Sequence, residues 1–419
     1  GGMADQPSLL QNLSADPDLA NFYKTLVAIG AGDMLNSSQQ FTIWAPINFS
    51  AAQADSVIAV YNAQKEAGFK QEDNKAITQF LYNHTAMYSR PISSVTNDTV
   101  RMMNDKYMHL IGTSASSGSL NTNPFNEMIT CNNGIIYKTA YMQNFFPNVR
   151  EYIEQTAGLD SVLAYIRTYD EYELDETASV PGGVVDGKTV YLDSVTYLHN
   201  NFLSRLDAQI SREDSNYTVI VPTNEVWKAK YEKIREYYRY YSPDPETLPQ
   251  SNDLSSAENY CKNVLLQSCF FNTSESSKYN KNPKDSLCNT MYYERQQHWP
   301  RRNVLYNTGD LLADMEMQEC SNGRVYIDHK GVFTPELTYF YRSEYDAYSP
   351  AYYEVPKDAK NEPTMNVSTG QYVKYTDTTY TEVDTRQNYL IVTSKSSSEA
   401  TRVDYNLTGN YSNVYYNIY

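Results

Sequence analysis

Phe41-Thr42-Ile43-Trp44-Ala45-Pro46-Ile47-Asn48 and Tyr217-Thr218-Val219-Ile220-Val221-Pro222-Thr223-Asn224 are one octet written twice: aromatic, Thr, apolar, any residue, apolar, Pro, any residue, Asn. Each begins as a buried β run that Pro must stop, because Pro cannot donate to a sheet ladder. The Asn that follows can cap a helix, so helices are expected after Asn48 and Asn224. A second landmark returns in the same order, Asn133-Gly134-Ile135-Ile136-Tyr137 and Asn322-Gly323-Arg324-Val325-Tyr326. Asn-Gly supplies the positive backbone angles of a tight hairpin turn, and the β-branched residues after it supply the returning strand. The octets lie 176 residues apart and the Asn-Gly pairs 189, so the sequence predicts a duplicated unit, the second copy 13 residues longer between landmarks.

Helical periods lead into both octets: Leu9, Leu10, Leu13, then Leu19, Phe22, Tyr23, Leu26; and Val162, Ile166, then Phe202, Leu203, Leu206, Ile210. Asp16-Pro17 and Asp160 are the expected helix starts. After Pro335 helical periodicity fades. Short alternating segments replace it, such as Gln371–Tyr375, Tyr389–Thr393, Arg402–Asn406 and Val414–Tyr419, separated by Ser, Thr, Asn and Gly. They predict a third, all-β region of the sandwich type.

The composition narrows the function classes. The 419 residues suggest about three domains at roughly 150 residues each. With 34 Lys+Arg against 50 Asp+Glu, the net charge of -16 repels a phosphate backbone and argues against nucleic-acid binding. Mean hydropathy of -0.60 and the lack of any apolar run of spanning length predict no membrane span in the chain. The opening Gly1-Gly2-Met3-Ala4-Asp5-Gln6-Pro7 carries no basic segment followed by an apolar stretch. Five cysteines are too few for a disulfide scaffold, their odd number leaves at least one thiol free, and most of them read as buried small hydrophobes. Tyrosine is the outlier, with 40 copies against 13 Phe and 3 Trp. A ring with a hydroxyl suits strands and half-wet surfaces.

With these landmarks the sequence resembles the fasciclin-like domain family. There a helical lead precedes a Phe-Thr-apolar-x-Ala-Pro-x-Asn strand, a Leu-x-Tyr-His element follows, and an Asn-Gly-apolar-apolar-His strand runs toward a final Pro. The first copy offers Phe41–Asn48, Leu81-Tyr82-Asn83-His84, Asn133–Tyr137 and Pro147. The second offers Tyr217–Asn224, Asn322–Asp328 and Pro335, with Cys269 where the family's His would fall. The resemblance implies an α+β chain: residues 7–148 and 149–338 as two tandem modules, each a β-sandwich wedge with packed helices, then 339–419 as a β-sandwich-like region. It also implies adhesion or ligand contact with an extracellular protein or polysaccharide, and no catalytic site or cofactor. The family's Tyr-His positions fall on Tyr82 and His84. Two modules with a Tyr/Asn-rich β tail look most like bacterial surface lipoproteins, which puts the chain at the cell surface, outer-membrane-anchored or secreted, with its export signal and lipid anchor upstream.

Few residues invite chemistry. Gly182-Gly183-Val184-Val185-Asp186-Gly187-Lys188-Thr189 satisfies the phosphate-loop pattern, but a β-type run follows where a helix N-terminus is needed. Asp186-Gly187 therefore reads as a hairpin turn. His84, His109, His199, His298 and His329 show no metal-ligand spacing, so no metal is expected, and His84 reads as a hydrogen-bonded core histidine. A hydrolase would need a cleft with paired carboxylates, and no spacing points to one. Asp followed by Ser or Thr and an apolar residue, as at Asp98-Thr99-Val100, resembles a bacterial O-glycosylation acceptor. Two tyrosine clusters are the candidate contacts for a partner or glycan: Tyr237, Tyr238, Tyr240 and Tyr241, and Tyr345, Tyr348, Tyr352 and Tyr353. A glycan-binding component of a surface nutrient-capture system is the alternative function.

Overall fold

In a computed structural model of the chain, the structure describes residues 6–177, 179–193, 196–237, 254–277, 284–291, 301–333, 346–376 and 381–406. It is an α+β protein with two compact units: Gly1–Trp227 with Ser268–Lys330, and Lys228–Gln267 with Gly331–Tyr419. Among the described residues no helix is long and apolar enough to cross a membrane.

The first unit opens with α1 (Leu9–Ala15), α2 (Ala20–Ala28) and α3 (Gly32–Leu35), then β1 (Phe41–Pro46) and α4 (Ala51–Glu66). β2 (Thr85–Met87), β3 (Asn97–Arg101), β4 (Tyr107–Gly112), β5 (Gly118–Leu120), β6 (Asn123–Cys131) and β7 (Gly134–Thr139) complete a sheet ordered β2-β1-β7-β6-β5-β4-β3. β1 and β7 run parallel, and every residue of both is buried. Burial on both faces needs cover on both sides. Phe41, Ile43 and Ala45 pack with Leu9, Leu13, Phe22 and Leu26 of the helices. Trp44, Ile135 and Tyr137 pack with Val100, Met108, Leu110 and Leu120 of β3, β4 and β5, so the far strands of the sheet curl back over its own centre.

The second half of this unit repeats the plan: α5 (Val149–Gln155), α6 (Asp160–Arg167), α7 (Asn201–Arg205), β12 (Tyr217–Pro222), β13 (Phe270–Asn272), β16 (Glu316–Cys320) and β17 (Gly323–Asp328), with strand order β13-β12-β17-β16. The octets pair in one register: Phe41 opposite Gly134 through Pro46 opposite Thr139, and Tyr217 opposite Gly323 through Pro222 opposite Asp328. Trp44 donates its amide to the His84 carbonyl and Ile220 donates to that of Cys269, so Cys269 occupies the His84 position. Additions distinguish the second half. Two ribbons, β8 (Asp170–Leu174) with β11 (Thr196–Asn200) and β9 (Val180–Val185) with β10 (Lys188–Asp193), separate α6 from α7. A third pairs β14 (Ser286–Met291) with β15 (Arg301–Tyr306), before α10 (Thr308–Leu312).

α8 (Asn224–Tyr237) leads from β12 into the second unit, which holds α9 (Leu254–Gln267) and two ribbons, β18 (Tyr353–Glu354) with β21 (Asp404–Tyr405) and β19 (Met365–Thr376) with β20 (Thr381–Ser394). The regular elements of its described tail are strands, in pairs.

Three local expectations change. Asn48 does not cap α4; Ser50 does, in a reciprocal capping box with Gln53, while Asn48 donates to the Ala140 carbonyl at 2.8 Å. Asn224 lies inside α8, whose Val226 amide donates to the Thr223 hydroxyl; its own side-chain carbonyl accepts from the Ser161 amide at the start of α6. The turn before β7 is Asn132-Asn133, not Asn133-Gly134, because Cys131 pairs with Gly134. Glycine is required for closeness: a Cβ on Gly134 would sit 1.9 Å from the Phe41 carbonyl oxygen, and one on Gly323 1.9 Å from that of Tyr217.

Candidate functional site

The Leu81-Tyr82-Asn83-His84 element points inward. His84 is 1% exposed, and its Nδ1 lies 2.7 Å from the Phe80 carbonyl while its Nε2 accepts from the Gln143 amide at 2.9 Å. Nδ1 must then carry the proton and donate, leaving the ring neutral. Burial lowers its pKa to about 4 against the raising effect of the Phe80 bond. Phe22 and Phe80 stand against the ring. Asn83, fully buried, donates to the Gln143 and Asn144 carbonyls and accepts from Asn104. Tyr82 is half-buried, its phenol pushed up by burial and then by Glu72.

The tyrosine clusters are only partly within view. Tyr238, Tyr240, Tyr241 and Tyr345 lie outside the described residues, and Tyr237 is the last residue of α8. Tyr348, Tyr352 and Tyr353 are half-buried in the second unit. Tyr353 pairs with Tyr405 across β18 and β21, the rings edge-on at 6.4 Å, and the Tyr405 hydroxyl donates to the Ala347 carbonyl at 2.8 Å. Asn406 donates its amide to Tyr352. Tyr405, not among the sequence candidates, is therefore the partner that braces this cluster; its place in the alternating run Arg402–Asn406 was the available signal. Exposed rings also occur at Tyr88, Tyr141 and Tyr172.

Charged clusters resolve into structural pairs. The Lys138 ammonium sits among Asp16, Asp18 and Glu127 at 2.9, 2.9 and 3.1 Å; burial alone would lower its pKa, but these bonds hold it above the usual value. Arg150 makes two bonds to Asp170 and one to Glu154. No group of His, Cys, Asp or Glu able to hold a metal occurs among the described residues. All five cysteines are buried, and burial pushes Cys131 and Cys320 up to about 12 and Cys261 to about 11. Thiols held protonated in this way are poor nucleophiles. Gly182–Thr189 forms the β9–β10 hairpin, with Asp186 and Gly187 both at positive φ, so its amides do not face the start of a helix.

The asparagines of the two Asn-Gly pairs make three side-chain hydrogen bonds each. The Asn133 side chain accepts from the Leu9 amide at the start of α1 and donates to the Leu35 and Ser37 carbonyls. Asn322 accepts from the Val149 amide at the start of α5 and donates to Ile210 and Arg212. One polar knot thus joins the first helix, the loop before the octet strand and the closing hairpin, and it is tied twice.

No protein-family model matches the chain, and no curated protein matches it. Among solved structures, the chain is similar to a FAS1 domain pair from the insect cell adhesion molecule fasciclin I, at 12% identity over 74% of this chain and 95% of that one, with a TM-score of 0.23.

Proposed function

We propose that the chain is a non-catalytic surface protein of two tandem fasciclin-like modules and a C-terminal β-sandwich-like region, acting by adhesion or ligand contact. The observation that carries this reading is the recurrence of octet, Asn-Gly pair and Asn knot in one register. The proposal includes export to the cell surface, with the signal and anchor upstream, and an extracellular partner that is a protein or a polysaccharide. Protease shaving of intact cells that make the native protein tests the location: the chain should be cleaved, and full protection would sink the surface reading. Turnover of any member of a polysaccharide and peptide panel would overturn the non-catalytic assignment.

Glycan binding is the second reading. It is favoured by Tyr405, the exposed member of the Tyr353–Tyr405 pair, since an exposed ring can stack on a sugar. Saturable binding on a glycan array that disappears in Tyr405→Ala supports it, and a blank array removes it.

A further inference from the structure

Lys106, in the turn between β3 and β4, is 4% exposed although lysine seldom lies so deep. Its ammonium reaches out of its own half of the first unit. It meets Glu151 of α5 and Glu213 before β12, both at 2.7 Å, and the Ser321 hydroxyl before β17 at 3.1 Å, with the Phe145 ring 5.2 Å below. Those acids are themselves fixed: Glu151 closes the capping box of α5 with Asn148, and Glu213 accepts from Asn148 and Ser321. The turn carrying Lys106 is held in place by Asn104, which donates to Asn83, and Asn83 in turn grips Gln143 and Asn144 of the segment joining the halves. His84 takes the Gln143 amide.

The geometry points to a locked joint: Lys106 is the pin that fixes the angle between the two halves of the first unit, and Asn83 and His84 are positioning residues that hold the connecting segment against it. A buried ammonium with two carboxylates tolerates little displacement, because separating them strands charge away from water. In the second half Ser268 and Cys269 stand at the Asn83 and His84 positions. The inference stands apart from the adhesion reading.

Double electron–electron resonance on the full chain tests it, with spin labels at Val95→Cys and Asp314→Cys, exposed sites on either half. The native thiols are buried and stay unlabelled. The parent pair should give one narrow distance distribution. Lys106→Met should shift and broaden it while far-UV circular dichroism stays the same, and Asn83→Ala should broaden it too. An unchanged distribution in a folded Lys106→Met overturns the proposal. If that variant does not fold, Glu213→Gln, which keeps shape and removes one charge, decides: broadening supports the lock and an unchanged width overturns it.

Discussion

His84 and the two knot asparagines carry consequences out of proportion to their size. The ring of His84 has a folded pKa of about 4, below the unfolded value of 6.5, so the unfolded chain binds the proton more readily. Stability is therefore lost as pH falls from about 6.5 toward 4, and the shift corresponds to about 3 kcal/mol at full titration. Between pH 7 and 5, thermal unfolding of His84→Gln should show a shallower pH slope than the parent; an equal slope would assign the dependence to other groups. Asn133→Ala removes one acceptor and two donors from buried partners, and at about 1–3 kcal/mol for each group left unsatisfied it should cost about 3 kcal/mol or more in denaturant midpoints. Asn322→Ala should cost about as much, because its three bonds are the same. The sequence marked these asparagines but gave the wrong reason. Asn-Gly is a familiar hairpin signal, and nothing local announces that the amide side chain reaches a helix start 124 residues away.

Elements with a purely local cause were readable. The Asp186-Gly187 hairpin, the β runs stopped by Pro46 and Pro222 and the helix beginning at Asp160 follow from neighbouring residues alone. The cap of α4 was misplaced by two residues because Asn48 and Ser50 are both good caps; the carbonyl of Ala140, across the sheet, takes Asn48 away. Ser50→Ala should then destabilise by about 1 kcal/mol, and Asn48→Ala by less, in chemical unfolding. The hairpin reading also predicts that ATP with magnesium leaves the melting temperature of the chain unchanged, where a phosphate loop would raise it.

At the scale of the molecule, the shared register of β1 with β7 and of β12 with β17 was legible because two landmarks return in sequence. The linkage between the halves was not, since Lys106, Glu151, Glu213 and Ser321 are far apart in the chain and ordinary in type. The offset between equivalent residues is 140 at Ser8 and Asn148 and 175 at Leu35 and Ile210, so 35 residues enter the second half between those points. They form the β8–β11 and β9–β10 ribbons. At their base the Asn200 amide donates to the Ile166 carbonyl at 2.9 Å and to Asp170, which Arg150 clamps. Entry and exit thus meet at one closed stem. Everything beyond it behaves as a cassette: evolution can lengthen, shorten or exchange it, and an engineer can graft a foreign loop there, without disturbing the frame that carries it.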